Sequence, residues 1–182
     1  SLDPSFEFTP ATYYSTGSGV ARAIMHEYLT NIDRTLKVGV IGLGTGSLNA
    51  YCGSGDEYIF FEIDPRVVSL AKEYFTYASH CAGFQVRLGD ARIVLESERR
   101  EGKLNDFDVL AVDAFNDDTI PIHLITKEAM QLYMDHMRSS KSILAIHTSN
   151  RYLDLPPAVV SVAESLGLTS VVINSAGAEN DL

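Results

Sequence analysis

Six short apolar runs, Lys37–Ile41, Glu57–Ile63, Phe84–Leu88, Phe107–Val112, Ser142–Ile146 and Thr169–Ile173, recur along the chain with helical patterns between them. This alternation constrains the fold more than any other feature. Several runs are apolar at consecutive positions, the pattern of a strand covered on both faces. The intervening helices read as Pro65–Phe75, with Asp64 as cap and Pro65 at the first helical position, Ala91–Arg100, Thr126–Met137, and Pro157–Leu166, which Gly167 stops. An earlier helix over Gly19–Thr30, capped by Ser18, carries Val20, Ile24 and Tyr28 on one face. Strands and helices in this order form right-handed crossovers, hence an α/β fold with an open, mostly parallel sheet, helices on both faces, and ligands beyond the carboxyl ends of the strands.

With 182 residues, 46% of them hydrophobic, the chain can bury one substantial core, so a single domain over 1–182 is expected. A net charge of −10 opposes binding to nucleic acid or to an anionic membrane surface and suits a small cationic partner. Cys52 and Cys81 lie far apart, without the spacing of a zinc site or a disulfide framework, which implies a reducing compartment. Neither a signal peptide nor an apolar run of the roughly 18 to 20 residues needed to span a bilayer is found, so a soluble, cytoplasmic chain without membrane insertion is expected.

Each segment that follows a strand carries candidate chemistry. After the first comes Gly42-Leu43-Gly44-Thr45-Gly46, a glycine turn read as leading into a helix, where missing Cβ atoms let backbone approach a ligand. Ser47 stands where a dinucleotide fingerprint wants glycine, so the spacing favours a nucleoside-type cofactor over NAD. Glu62, 20 residues beyond Gly42, is the distance at which a carboxylate accepts both ribose hydroxyls, whereas Asp64 is the cap of the next helix. Asp90, after the third strand, either receives the exocyclic amine of adenine or caps a helix. The segment Asp113 to Pro121 is the most acidic of these: Asp113, Asp117 and Asp118 would attract an amine, and one carboxylate could take its proton. Asn, Asp and Pro also make ordinary turns. His147, after the fifth strand, either faces the substrate or is a hydrogen-bonded structural group.

Taken together, Gly42-Leu43-Gly44-Thr45-Gly46, Phe61-Glu62-Ile63-Asp64, Gly89-Asp90-Ala91 and Val112-Asp113-Ala114 resemble the spermidine synthase family of Rossmann-like, class I S-adenosylmethionine-dependent folds. The likeness runs from about Tyr13 to Tyr152. It extends to spermidine synthase-like proteins, some fused to membrane segments, with stretches similar to Thr12-Tyr13-Tyr14-Ser15 and His147-Thr148-Ser149-Asn150-Arg151-Tyr152-Leu153.

The resemblance implies transfer of an aminopropyl group from decarboxylated S-adenosylmethionine to a diamine such as putrescine, without a metal. It implies Glu62 at the ribose, Gly42, Gly44, Gly46, Asp90 and Ala91 around the rest of the nucleoside, Asp113 as the base, and Tyr14, Asp117, Asp118 and His147 toward the amine. The family's loop is usually Asp-x-x-Asp-Pro, whereas Asn116 stands three residues after Asp113. The family's N-terminal β-domain and last strand are also missing from this chain, so a fragment of a longer protein, a homodimer, or the soluble part of a membrane-fused protein is expected. Two other readings stay open: a methyltransferase using intact S-adenosylmethionine, and a non-catalytic module that binds a nucleoside or polyamine.

Overall fold

The structure, a computed structural model, describes residues 14–114, 120–149 and 153–174. Its elements run α1 (Gly19–Thr30), β1 (Lys37–Ile41), a 3-10 turn (Ser47–Tyr51), β2 (Glu57–Glu62), α2 (Pro65–Tyr74), α3 (Tyr77–His80), β3 (Phe84–Leu88), α4 (Ala91–Arg100), β4 (Val109–Val112), a second 3-10 turn (Ile122–Leu124), α5 (Lys127–Asp135), β5 (Ile143–Ile146) and α6 (Pro156–Ser165). The strands pair in parallel in the order β3-β2-β1-β4-β5.

Two-residue periodicity sends alternate side chains of each strand to opposite faces, and each face builds its own core. Val38, Val40, Tyr58, Phe60, Val109 and Ala111 pack with Ala23 and Ile24 of α1 and Ala71 of α2. Ile41, Ile59, Phe61, Leu110 and Val112 pack with Ala91 and Leu95 of α4 and with Ala129, Leu132 and Tyr133 of α5. Central strands β1 and β4 are therefore buried nearly throughout, while edge strands β3 and β5 are only partly covered.

Helix starts carry side-chain caps, expected at Ser18 and Asp64, one of two expected roles at Asp90, and at Thr126 a residue expected inside its helix. Ser18 accepts the Ala21 N–H, Asp64 accepts that of Arg66 with Pro65 behind it, Asp90 accepts that of Ile93, and Thr126 accepts that of Ala129. Gly167, with φ +74°, follows the end of α6.

The structure corrects four sequence expectations. The fourth strand starts at Val109, because Phe107 makes an isolated bridge to Met137 and the Asp108 side chain turns into a polar cluster. Residues 169–173 pair with no strand among the described residues; Val171 and Val172 are exposed and Ile173 lies beside Gly19 at the start of α1. Their β-branched composition favours extension, but extension without a partner strand is not a sheet. The glycine turn leads only into the 3-10 turn, too short to supply a helix dipole. Finally, Cys52 and Cys81 form a disulfide, with Cα atoms 5.5 Å apart and 29 residues between them in sequence. Cys52 directly follows the 3-10 turn and Cys81 directly follows the short α3, and tertiary packing of these two pieces joins cysteines that spacing alone does not pair. No described helix is long and apolar enough to cross a membrane.

Two carboxylates tie together the amino ends of the strands. Asp108, fully buried, accepts hydrogen bonds from the Lys37 backbone N–H at 2.8 Å, from Arg34 at 2.7 Å and from Arg138 at 2.7 Å. Asp56 accepts from the Leu36 and Gly53 backbones at 2.7 and 2.8 Å and from the Tyr28 hydroxyl.

Under α4, the fully buried His136 donates from Nε2 to the Leu95 carbonyl at 2.9 Å and accepts from Asn105 at Nδ1, 2.8 Å away. Both bonds suit the neutral ring, and burial holds its pKa below the ordinary value. The unfolded chain therefore binds this proton below about pH 6.5 while the folded chain resists it. The stability contributed by the neutral ring is present above that pH and is lost as pH falls toward the folded pKa, by at most about 1.4 kcal/mol per pH unit. Melting curves from pH 7.5 to 5.0 are expected to fall more steeply for the wild type than for His136→Gln; parallel curves would show that the ring titrates alike in both states.

Candidate nucleoside and acceptor site

Register decides what meets at the carboxyl rim. Ile41 of β1 lies opposite Phe61 of β2 and Val112 of β4, and Val112 lies opposite Ile146 of β5. The next residues, Glu62, Gly42, Asp113 and His147, thus form one row across four strands. The ladder continues through them: Gly42 N–H donates to the Phe61 carbonyl at 2.8 Å, Asp113 N–H to Ile41 at 2.9 Å and His147 N–H to Val112 at 3.0 Å. Two strand spacings separate the Cα positions of Glu62 and Asp113, roughly 10 Å.

The turn is shaped by its glycines. A Cβ on Gly42, whose φ is +100°, would lie 2.6 Å from the Asp113 carbonyl oxygen, so only glycine lets β1 and β4 approach here. Gly44, at φ +52°, is different: a Cβ there would meet nothing within 4 Å and would project into open space. That open side is where the glycine turn is expected to let backbone approach a ligand. Gly46 is also left-handed, at φ +77°, and starts the 3-10 turn.

Glu62 is 8% exposed, and each oxygen accepts one fixed backbone N–H: Leu43 of the glycine turn at 3.1 Å and Asp64 at 2.9 Å. A carboxylate oxygen has two lone pairs, so acceptor capacity remains for two hydroxyls. Beside it Ile63 is 68% exposed, an apolar surface at the rim that the sequence did not single out.

Asp90 takes the capping role, Oδ1 accepting the Ile93 N–H at 3.1 Å, and Oδ2 meets His123 Nε2 at 3.0 Å. Ala91, the first residue of α4, is buried in the core. Nothing in the sequence flagged His123 beyond its position between β4 and α5.

Asp113 joins two candidates that sequence separated by about a hundred and by thirty-odd residues. Oδ1 lies 2.7 Å from His147 Nδ1, Oδ2 accepts the Tyr14 hydroxyl, and the Asp113 side chain is 7% exposed. Burial first, and then the Asp113 charge, raise the Tyr14 pKa far above its ordinary value, so this phenol stays protonated and donates. Tyr51 in turn donates to the Tyr14 carbonyl, tying the segment before α1 to the turn after β1. Asp117 and Asp118 lie outside the described residues.

The described residues bring no group of three or more His, Cys, Asp or Glu into an arrangement that could hold a metal ion. Two concavities of about 450 and 440 Å³ lie away from this rim, one beside α2 and α3 and one at the amino ends of the strands near Tyr28 and Asp56. Neither is lined by any residue of the row.

A parallel sheet in this strand order, with a glycine turn, an acid at the end of β2 and a second acid at the end of β4, defines the class I S-adenosylmethionine-dependent methyltransferase fold. The family model described as O-methyltransferase matches residues 24–132, and the chain belongs to that family. The polyamine aminopropyltransferase of Vibrio vulnificus (strain CMCP6) is 34% identical over 114 residues, which cover 60% of this chain and 36% of that protein; the chain thus spans little more than a third of this relative. Among solved structures, human methyltransferase-like protein 13 in complex with SAH is similar at a TM-score of 0.66, with 20% identity over 79% of this chain and 68% of that one. A putative O-methyltransferase from Klebsiella pneumoniae has a TM-score of 0.55, with 16% identity over 81% of this chain and 68% of that one. At these identities the structural likeness establishes the fold alone.

The two glycines separate packing from binding. Gly42→Ala is expected to cost about 3 kcal/mol or more, from left-handed strain plus overpacking against Asp113. Gly44→Ala is expected to cost only about 1 to 2 kcal/mol while abolishing measurable binding of S-adenosylhomocysteine. Thermal melts and titration calorimetry check both; unimpaired binding by Gly44→Ala would show that the ligand does not approach there.

Proposed function

We propose that this chain is the donor-binding and catalytic core of an aminopropyltransferase-like enzyme, transferring an aminopropyl group from decarboxylated S-adenosylmethionine to a small cationic diamine such as putrescine. The observation that carries the reading is Asp113: a nearly buried carboxylate on the same rim row as Gly42 and Glu62, steadied by Tyr14 and His147. The likeness to the Vibrio vulnificus polyamine aminopropyltransferase supports it.

The fit of the donor rests on three features of this chain. Gly44 leaves open space beside the turn, Glu62 keeps acceptor capacity for ribose hydroxyls, and Asp90 keeps it for an amine on the base. When bound, the donor supplies a carbon made electrophilic by its sulfonium. The chain's part is to hold the acceptor and take its proton. An anionic carboxylate at Asp113 draws in an ammonium and, as general base, takes one proton from it, leaving a lone pair on nitrogen. As that lone pair forms the new N–C bond, the C–S bond breaks with its electrons passing to sulfur, and the product nitrogen is left as a secondary ammonium. Tyr14, held protonated, donates to that carboxylate throughout and does not compete as a base.

A second reading is methyl transfer from intact S-adenosylmethionine, which membership of the O-methyltransferase family favours. The two donors differ by one carboxylate. Titration of the full-length protein with each, followed by product assay with putrescine, separates them: aminopropyl transfer predicts tighter binding of the decarboxylated donor, methyl transfer the reverse, and binding without turnover a non-catalytic module. Asp113→Asn is expected to leave nucleoside binding within a few-fold while lowering turnover by about 10² to 10⁴. Unchanged turnover would exclude Asp113 as the base.

A further inference from the structure

We infer that His123 is a positioning residue that sets the selectivity of the site for the nucleobase, an inference that rests on the nucleoside reading of Asp90 given above. His123 reaches Asp90 from a different part of the chain, on the 3-10 turn Ile122–Leu124 between β4 and α5. Its Nε2 lies 3.0 Å from Asp90 Oδ2. An ionised carboxylate only accepts, so Nε2 carries the hydrogen and donates it.

The contact is anchored from both sides. Arg92 donates to the His123 carbonyl at 3.0 Å, and the following residue, Leu124, is buried in the core with its carbonyl accepting from the Tyr133 hydroxyl at 3.0 Å. The imidazole is therefore fixed on a pinned turn although its own side chain is half exposed.

Asp90 is thereby held at both oxygens, Oδ1 by the Ile93 N–H and Oδ2 by His123. The carboxylate cannot rotate without breaking one of these bonds. What it still offers is acceptor capacity, directed to the remaining lone pairs. Leu88 at the end of β3, Ile93 whose N–H donates to Asp90, and Ile122 next to His123 are 57%, 65% and 76% exposed. A fixed acceptor flanked by apolar surface suits a planar base that presents an amino group. A 6-aminopurine donates there, whereas a 6-oxopurine presents a second acceptor and is repelled. Sites built to satisfy one hydrogen-bonding pattern reject the opposite one strongly.

The experiment uses the full-length protein and titration calorimetry with S-adenosylhomocysteine and S-inosylhomocysteine. The wild type is expected to prefer the adenosyl compound by about 100-fold or more. His123→Ala is expected to weaken adenosyl binding about tenfold, as one fixed charge-assisted hydrogen bond is lost, and to shrink the preference to within about tenfold. His123→Gln, whose amide N–H can donate to the same oxygen, restores most of the preference, which a purely structural role would not require. Should His123→Ala fail to fold, His123→Asn, too short to reach Asp90, gives the same reading. A wild-type preference kept intact in the Ala or Asn variant overturns the inference while leaving the nucleoside reading standing. A wild type that binds neither compound overturns both.

Discussion

Parallel pairing in register is the constraint on which the rest of the molecule depends. Once Ile41 stands opposite both Phe61 and Val112, and Val112 opposite Ile146, the four residues that follow are carried to one rim whatever their own preferences. Glu62, Gly42, Asp113 and His147 owe their meeting to backbone hydrogen bonds made one residue earlier. A slip of one residue would turn the alternating side chains to the wrong faces and dissolve both cores along with the row. The register is thus held by burial on two faces, and the site inherits its geometry without needing a rigid loop of its own.

Five of this acidic chain's carboxylates, Asp56, Asp108, Glu62, Asp90 and Asp113, lie at the two ends of the sheet, and their partners tell the two groups apart. At the amino ends, Asp108 and Asp56 each satisfy backbone N–H groups together with arginine or tyrosine side chains; these groups close the structure. At the carboxyl ends, Glu62 and Asp90 each hold one fixed donor per oxygen, and Asp113 has Tyr14 and His147 as its side-chain partners. With one donor on each oxygen, Glu62 and Asp90 are restrained yet keep acceptor capacity. Charge count alone conveys none of this.

Much of the fold was legible because its signals are local or periodic. Consecutive apolar residues marked β1, β2 and β4, and the caps at Ser18, Asp64 and Asp90 marked where helices begin. The glycine turn and the acids after β2, β3 and β4 were visible because each follows a strand. Features that depend on distant packing were not legible. Val171 and Val172 have strand composition but find no partner, His123 meets Asp90 only after β4 and α4 are assembled, and the Cys52–Cys81 bridge requires the 3-10 turn to lie against α3. His147 was ambiguous as a lone histidine, and a carboxylate 2.7 Å from its ring gives it a definite neighbour.

The bridge between Cys52 and Cys81 encloses β2 and α2, and with them Glu62. Closing a loop of that length restricts the unfolded chain enough to stabilise the native state by roughly 3 to 4 kcal/mol, a sizeable share of a typical domain's margin. The same polypeptide is therefore expected to melt at a lower temperature with its thiols reduced than with the bridge closed. Under reductant that contribution is lost, and the segment bearing Glu62 is the part whose tether is released.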